Sequence, residues 1–229
     1  MNQKKIWDHF QGPGIDGFTG SIPRLRFLLK QATKVSCGRY QRVLNIGTGN
    51  GWLEVQCAER GWKITGLDPS EIAIAKLAKH NILSAVGLIE AIPYARGLFD
   101  SVFCSEVFEH LSEEQFSLGL KEIIRVLRTG GYLIGTVPFN ETLSAGQVKC
   151  PSCGIVFHRW GHQQSFDTKS MRTALENVGL RVMAIGSRAF PFFSGSSVKN
   201  YLKTMVIKML GRFGTASVYP FLFFMGQKL

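Results

Sequence analysis

The sequence predicts an α/β fold in which a mostly parallel sheet is covered by helices on both faces. Three observations predict it. Apolar, strand-like runs alternate with helical stretches across residues 42–137. A turn carrying three glycines follows the first run directly, and the second run ends in Asp68, 21 residues beyond Gly47. Strand–helix alternation of this kind needs helical crossovers that return each strand parallel to the last.

Each element has its own justification. Ile22–Thr33 carries apolar residues at helical spacing and reads as a leading helix. Arg42–Ile46 is the first strand and Trp52–Arg60 the helix after the glycine turn. Lys63–Leu67 is the second strand, and Pro69–Lys79 a helix whose proline suits a first-turn position. Asn81–Glu90 holds a short strand and Phe99–Cys104 a buried one. Ser112–Leu127 is a helix opened by a capping box of Ser112 with Gln115. Gly130–Gly131 stops it, and Tyr132–Val137 is the next strand. Beyond that the rhythm breaks. Residues 140–166 are polar, irregular and rich in Cys, His and Gly; Thr168–Val178 reads as a helix and Leu180–Ile185 as a strand. Ser197–Leu210 reads as a basic amphipathic helix, and Tyr219–Gly226 as a closing apolar strand.

Composition fits one ordinary globular domain: 229 residues, 45% hydrophobic, with five cysteines. No run of eighteen apolar residues exists to span a membrane. The first dozen residues lack a signal-peptide core, so a reducing, cytoplasmic setting is expected, with free thiols rather than disulfides. The net charge of +11 is uneven: +3 over residues 1–140 and +8 over residues 141–229, where 11 Lys/Arg face 3 Asp/Glu. Such an excess suits an anionic partner or simply solvated lysines.

The turn VLNIGTGNGWLE places Gly47, Gly49 and Gly51 between a strand and a helix. Glycine there allows a sharp turn and lets a ligand lie against bare backbone. A carboxylate at the end of the next strand, Asp68, can accept hydrogen bonds from both hydroxyls of a ribose. Packing alone would also use such glycines, with Asp68 as a helix cap beside Pro69. A nicotinamide-dinucleotide site fits less well, because Trp52 stands where GxGxxG has its last glycine.

Four motifs then resemble one family. VLNIGTGNG is similar to VLDxGCGxG, ITGLDPS to GxDxS, FDSVFCSEVFEHL to FDxVxxxxxxEHL, and LRTGGYLIGTVP to a GG-containing strand ending in proline. Together they resemble the class I S-adenosylmethionine-dependent methyltransferases, in particular the small-molecule methyltransferase domains. The resemblance implies a Rossmann-like, doubly wound, seven-stranded and mostly parallel sheet with an antiparallel last strand, here with a Cys/His-rich loop insertion. It implies one domain: a cap and helix over 1–39, a cofactor-binding core over 40–140, the Cys/His loop over 141–166, and a substrate-side, sheet-completing part over 167–229.

It also implies roles. Asn45, Gly47, Thr48, Gly49 and Gly51 would pass under the methionine part and ribose of S-adenosylmethionine, and Asp68 would hold the ribose. Pro69, Ser70, Ile89 and Glu90 would border the adenine, and Ser105 and Glu106 would face the reacting methyl. Two positions depart from the family pattern. Asn45 stands where an acid is usual, and Leu88 where an acid commonly meets the adenine amino group.

Cys150 and Cys153, then His158 and His162, give C-x2-C-x4-H-x3-H. Two thiolates and two imidazoles at such spacings can close a tetrahedron on a structural Zn²⁺. A loop of reduced thiols and exposed histidines is the plainer alternative. If unmetallated, His158 or His162 can act as a general base. Glu106, Glu109 and His110 cluster after the fourth strand, so Glu106, His110 and His158 are the catalytic candidates.

An Asp/Asn-Pro-Pro-Tyr tetrad for methylating nucleobase amines is missing, which disfavours a nucleic-acid substrate. The expectation is methyl transfer to a small-molecule or glycan-like acceptor, at oxygen. Its competitors are a nucleic-acid-binding or zinc-containing module and a cofactor-binding protein without turnover. Trp7, Asp8, His9, Phe10 and Phe18 suit a cap over the cofactor. Phe190, Phe192, Phe193 and the basic helix suit either peripheral membrane contact or packing on the sheet.

Overall fold

The structure, a computed structural model, describes residues 8, 9, 11, 12, 18–37, 39–190 and 220–229. In chain order the elements are α1 (Ile22–Ser36), β1 (Arg42–Ile46), α2 (Trp52–Ala58), β2 (Lys63–Asp68), α3 (Glu71–Ala78), β3 (Leu83–Val86), β4 (Phe99–Ser105), α4 (Glu113–Val126), β5 (Leu127–Pro138), β6 (Gln147–Lys149), β7 (Val156–His158), α5 (Thr168–Asn177), β8 (Leu180–Arg188) and β9 (Phe221–Lys228).

Seven strands form one sheet in the order β3-β2-β1-β4-β5-β9-β8, and β6 pairs with β7 in a separate hairpin. Strands β1 to β5 are parallel, while β9 runs antiparallel between β5 and β8. This is the expected doubly wound sheet with an antiparallel last strand. Because side chains alternate along a strand, each strand feeds both faces. Leu44, Leu222 and Phe224 point into one core with Leu120 and Ile123 of α4 and Met171 and Leu175 of α5. Val43, Phe223 and Met225 point into the other with Leu28 and Leu29 of α1, Leu53 of α2 and Leu77 of α3.

Local signals explain the ends. The capping box of α4 forms as its residues require: the Gln115 N–H donates to Ser112 Oγ and the Ser112 N–H to Gln115 Oε1. Pro69 does not enter α3, contrary to the expected first-turn position. Ser70, extended at φ −88°, ψ 118°, occupies the N-cap instead. The polar stretch after β5 is less irregular than expected, since it contains the β6–β7 hairpin. Strand β8 runs on to Arg188, past the expected end. The basic helix expected at Ser197–Leu210, and Trp7, Phe10, Phe192 and Phe193, lie outside the described residues. Among the described residues no helix is long and apolar enough to cross a membrane.

Candidate active site

Strand order reverses between β1 and β4, so loops leaving their C-terminal ends diverge and open a crevice. A cavity of about 650 Å³ occupies it. Its wall includes Asn45 in β1 with Gly47, Thr48 and Gly49 after it, Asp68 at the end of β2 with Pro69 after it, Ile89 and Glu90 after β3, and Ser105 at the end of β4 with Glu106 and His110 after it. Gly51 and Ser70 stand behind this wall rather than on it: Gly51 caps α2, and the buried Ser70 N–H donates to Asp68 Oδ1 at 2.9 Å.

The glycine turn is built for close approach. Gly47 sits at φ +80°, and a Cβ there would stand 2.7 Å from Val107 Cγ2, so no other residue fits without displacement. Asp68 Oδ2 accepts from the Thr48 N–H at 2.9 Å and from Thr48 Oγ1 at 3.2 Å. Each carboxylate oxygen has two lone pairs, so the group ties the turn together and retains acceptor capacity toward the cavity. Burial raises the Asp68 pKa, and the hydrogen bonds from Ser70 and Thr48 oppose that rise. From the N-terminal side, Gln11 Nε2 donates to Gly49 O at 3.0 Å, Ser70 Oγ donates to Asp8 Oδ1 at 2.9 Å, and Phe18 lines the same cavity.

Asn45 has a partner the sequence did not suggest. Its Nδ2 donates to Glu54 Oε1 at 2.7 Å, on the first turn of α2. Glu54 is fully buried and its Oε2 has no hydrogen-bond partner. Burial pushes the Glu54 pKa up to about 7, against the Asn45 hydrogen bond.

Opposite the glycines, Glu106 adopts φ +58°, an uncommon conformation for a residue with a Cβ. Its N–H is held by Thr136 O at 2.8 Å. Arg24 of α1 reaches this point, also unforeseen: its Nε donates to Ser105 Oγ at 3.0 Å, and its Nη1 lies 4.0 Å from Glu106 Oε2. A sequence signal existed, because Arg24 shares a helical face with the fully buried Leu28 four residues on. Burial raises the pKa of Glu106, with Arg24 opposing, and raises that of Glu109 well above the ordinary value. His110 is pushed down to about 3, first by burial and then by His162, so its ring is neutral near pH 7.

The segment after β5 is stitched onto this Glu-His-Leu turn by amides. The Gln163 N–H donates to Glu109 O at 2.7 Å, while the Gln163 and Gln164 side chains donate to the carbonyls of His110 and Leu111 at 2.6 and 2.7 Å. Trp160 and His162 are thereby placed on the cavity wall. Glu141 meets both nearby histidines: Oε2 lies 2.5 Å from His162 Nδ1, and Oε1 lies 3.5 Å from His158 Nε2.

The four-ligand zinc set is not assembled. Cys150 and Cys153 occupy the tip of the β6–β7 hairpin, where the Cys150 N–H donates to Ile155 O. His158 sits at the opposite end of β7, paired with Gln147. It is three residues from Ile155, about 10 Å at strand rise. Among the described residues, the clusters spaced for a metal ion are Glu141/His158/His162 and Glu109/His110/His162, without either cysteine. His158 is also unsuited as a ligand or as a base. Its Nδ1 accepts N–H groups from Trp160 at 3.4 Å and His162 at 3.1 Å, so the ring proton sits on Nε2. Its ring is buried in the loop and is absent from the cavity wall.

Known proteins share the fold and the central motif block. Residues 44–135 match the family described as methyltransferase domain. The ubiquinone biosynthesis O-methyltransferase of Rhizobium leguminosarum bv. trifolii is 34% identical over 110 residues, covering 45% of this chain and 42% of that protein. The mitochondrial ubiquinone biosynthesis O-methyltransferase of Schizosaccharomyces pombe is 27% identical over 211 residues, 87% of this chain and 66% of that protein. The matched part thus spans about two fifths of the first of these curated relatives. Among solved structures, the Burkholderia thailandensis 1,6-didemethyltoxoflavin-N1-methyltransferase, with its acceptor and S-adenosylhomocysteine bound, superposes with a TM-score of 0.70 at 15% identity, over 98% of this chain and 86% of that one. Sheet order, glycine turn and acid define a class I methyltransferase fold. Its central block, residues 44–135, is similar to the methyltransferase-domain family, and its sheet has the fold of solved methyltransferases.

Proposed function

We propose that the protein transfers the methyl group of S-adenosylmethionine to an oxygen of a small, hydroxylated acceptor. One observation carries this reading: a single cavity joins the Asp68 side, suited to a nucleoside, to the Glu106, Trp160 and His162 side, where polar groups converge. In this reading Asp68 holds the ribose, Asn45 and the Gly47–Gly49 backbone bear the methionine part, and Pro69, Ile89 and Glu90 border the adenine, with Gly51 and Ser70 supporting them from behind. Glu106 faces the reacting centre, and the neutral His110 shapes it. The names of the curated relatives favour oxygen as the acceptor atom. Transfer from a sulfonium chiefly requires alignment of nucleophile, methyl and sulfur, which one cavity holding both donor and acceptor supplies.

Residues 1–39 then act as cap, 40–140 as cofactor core, 141–166 as acceptor wall, and 167–229 complete the sheet, in a cytoplasmic enzyme. Asp68→Ala is expected to weaken S-adenosylmethionine binding about 10- to 100-fold, the range for losing hydrogen bonds to a charged group. Calorimetry of the folded variant reads this, and an unchanged affinity overturns the cofactor assignment. Incubation with methyl-labelled donor and fractionated cell extract identifies the acceptor. Label appearing only on nucleic acid would overturn the small-acceptor reading.

A further inference from the structure

We propose that His162 is the general base for the acceptor hydroxyl and that Glu141 is its positioning partner. The proposal rests on the methyl-transfer reading and adds to it a residue pair outside the family motifs.

The chemistry follows from which nitrogen carries which proton. With Glu141 Oε2 as the acceptor of the 2.5 Å contact, the proton of His162 sits on Nδ1. Nε2, at the far edge of the ring, then keeps its lone pair. His162 lines the cavity, with 10% of its side chain exposed. The second oxygen of Glu141 faces His158 Nε2, which carries that ring's proton because backbone N–H groups occupy Nδ1. The same turn that delivers His162 therefore also fixes the imidazole that lies 3.5 Å from the second oxygen of Glu141. The His158 and His162 rings stack at 4.6 Å with planes 20° apart, which restricts both. His110, whose ring lies 4.6 Å away, Glu109, within 4.8 Å, and Glu106, which interacts electrostatically with the ring, also face His162.

The step balances. The acceptor O–H proton passes to His162 Nε2 as an oxygen lone pair bonds to the methyl carbon. The methyl–sulfur bond breaks with its electrons going to sulfur, so the sulfonium becomes a neutral thioether. The imidazolium is stabilised by Glu141 until its proton leaves to solvent.

Two measurements test this. Nitrogen NMR of histidine-labelled protein should show His162 as the Nδ1–H form and His158 as the Nε2–H form. Glu141→Ala should release His162 to a mixture and leave His158 unchanged. His162 found as Nε2–H in the unaltered protein, or a form insensitive to Glu141→Ala, overturns the pairing. In methyl transfer from labelled donor to a panel of phenols, His162→Gln should lower kcat about 100-fold or more, the range for losing a general base, with donor Kd unchanged. Glu141→Gln, which keeps an acceptor oxygen but no charge, should lower kcat while preserving the Nδ1–H form, and so separates charge from folding. Equal activity of the His162→Gln protein overturns the base assignment. Donor binding with no transfer to any acceptor by the unaltered protein overturns the methyl-transfer reading itself, and the base role falls with it. The NMR result would still decide whether Glu141 and His162 are paired.

Discussion

An acid at the end of β1 would carry its charge at the cavity wall. Asn45 instead presents an amide there, and the carboxyl lies one layer back on Glu54, 2.7 Å away. The consequence is titratable. The carboxyl is neutral in the folded protein up to about pH 7, against 4.5 for an ordinary glutamate. A raised folded-state pKa means the stability is fully present below about 4.5 and is lost as pH rises through 7. The gap corresponds to about 3 kcal/mol. Glu54→Gln should therefore leave denaturant stability unchanged near pH 4 and raise it by up to about 3 kcal/mol near pH 8.5. Parallel pH profiles for the two proteins would refute this. The sequence made Asn45 visible as a departure but not its remedy, because α2 is too short for periodicity to tell an inward from an outward Glu54. Arg24 was legible in principle from its helical register with Leu28. Glu141 had a weaker signal, as one of three acids in residues 141–229.

Among the elements, strands β1 to β4 and their helices were readable to within a few residues, since apolar runs, glycine turns and caps are local signals, whereas β5 begins at Leu127, five residues before the expected Tyr132. The hairpin of β6 and β7 was not. Its strands are three residues each, and its Cys and His spacing matches that of a metal site. Spacing along the chain says nothing of which end of a hairpin a residue occupies, and here the thiols and imidazoles occupy opposite ends. The imidazole end is closely packed: a Cβ on Gly146 would collide with the His158 ring. That ring is hydrogen-bonded and buried, so it cannot step aside cheaply. Gly146→Ala should cost about 1–3 kcal/mol, as overpacking typically does. The expected signs are a lower Tm and faster hydrogen exchange across 141–166. A variant with neither change would show that the loop tolerates repacking.

At the scale of the molecule, β9 is what joins the edge strand β8 to the five parallel strands of the sheet. It pairs along its length with β5 on one side and β8 on the other, and it sends Leu222 and Phe224 into one core and Phe223 and Met225 into the other. Lys228 adds hydrogen bonds to the carbonyls of Ile124 and Leu127, pinning the strand to the end of α4. Removing residues 221–229 should abolish cooperative unfolding, followed by circular dichroism on heating. A sharp transition in the shortened protein would contradict this role. The sequence announced β9 as a strongly apolar strand, yet not its place inside the sheet, since insertion between earlier strands is a long-range choice. That placement has a temporal side. During synthesis β5 emerges long before β9 and is, until then, an unpaired edge rich in apolar side chains. The nascent chain must carry that open edge through some eighty residues of further translation, from Pro138 to Phe221. Its yield in a cell therefore depends on how well that interval is shielded, and slower translation or scarce chaperones would be felt first as aggregation rather than as loss of activity.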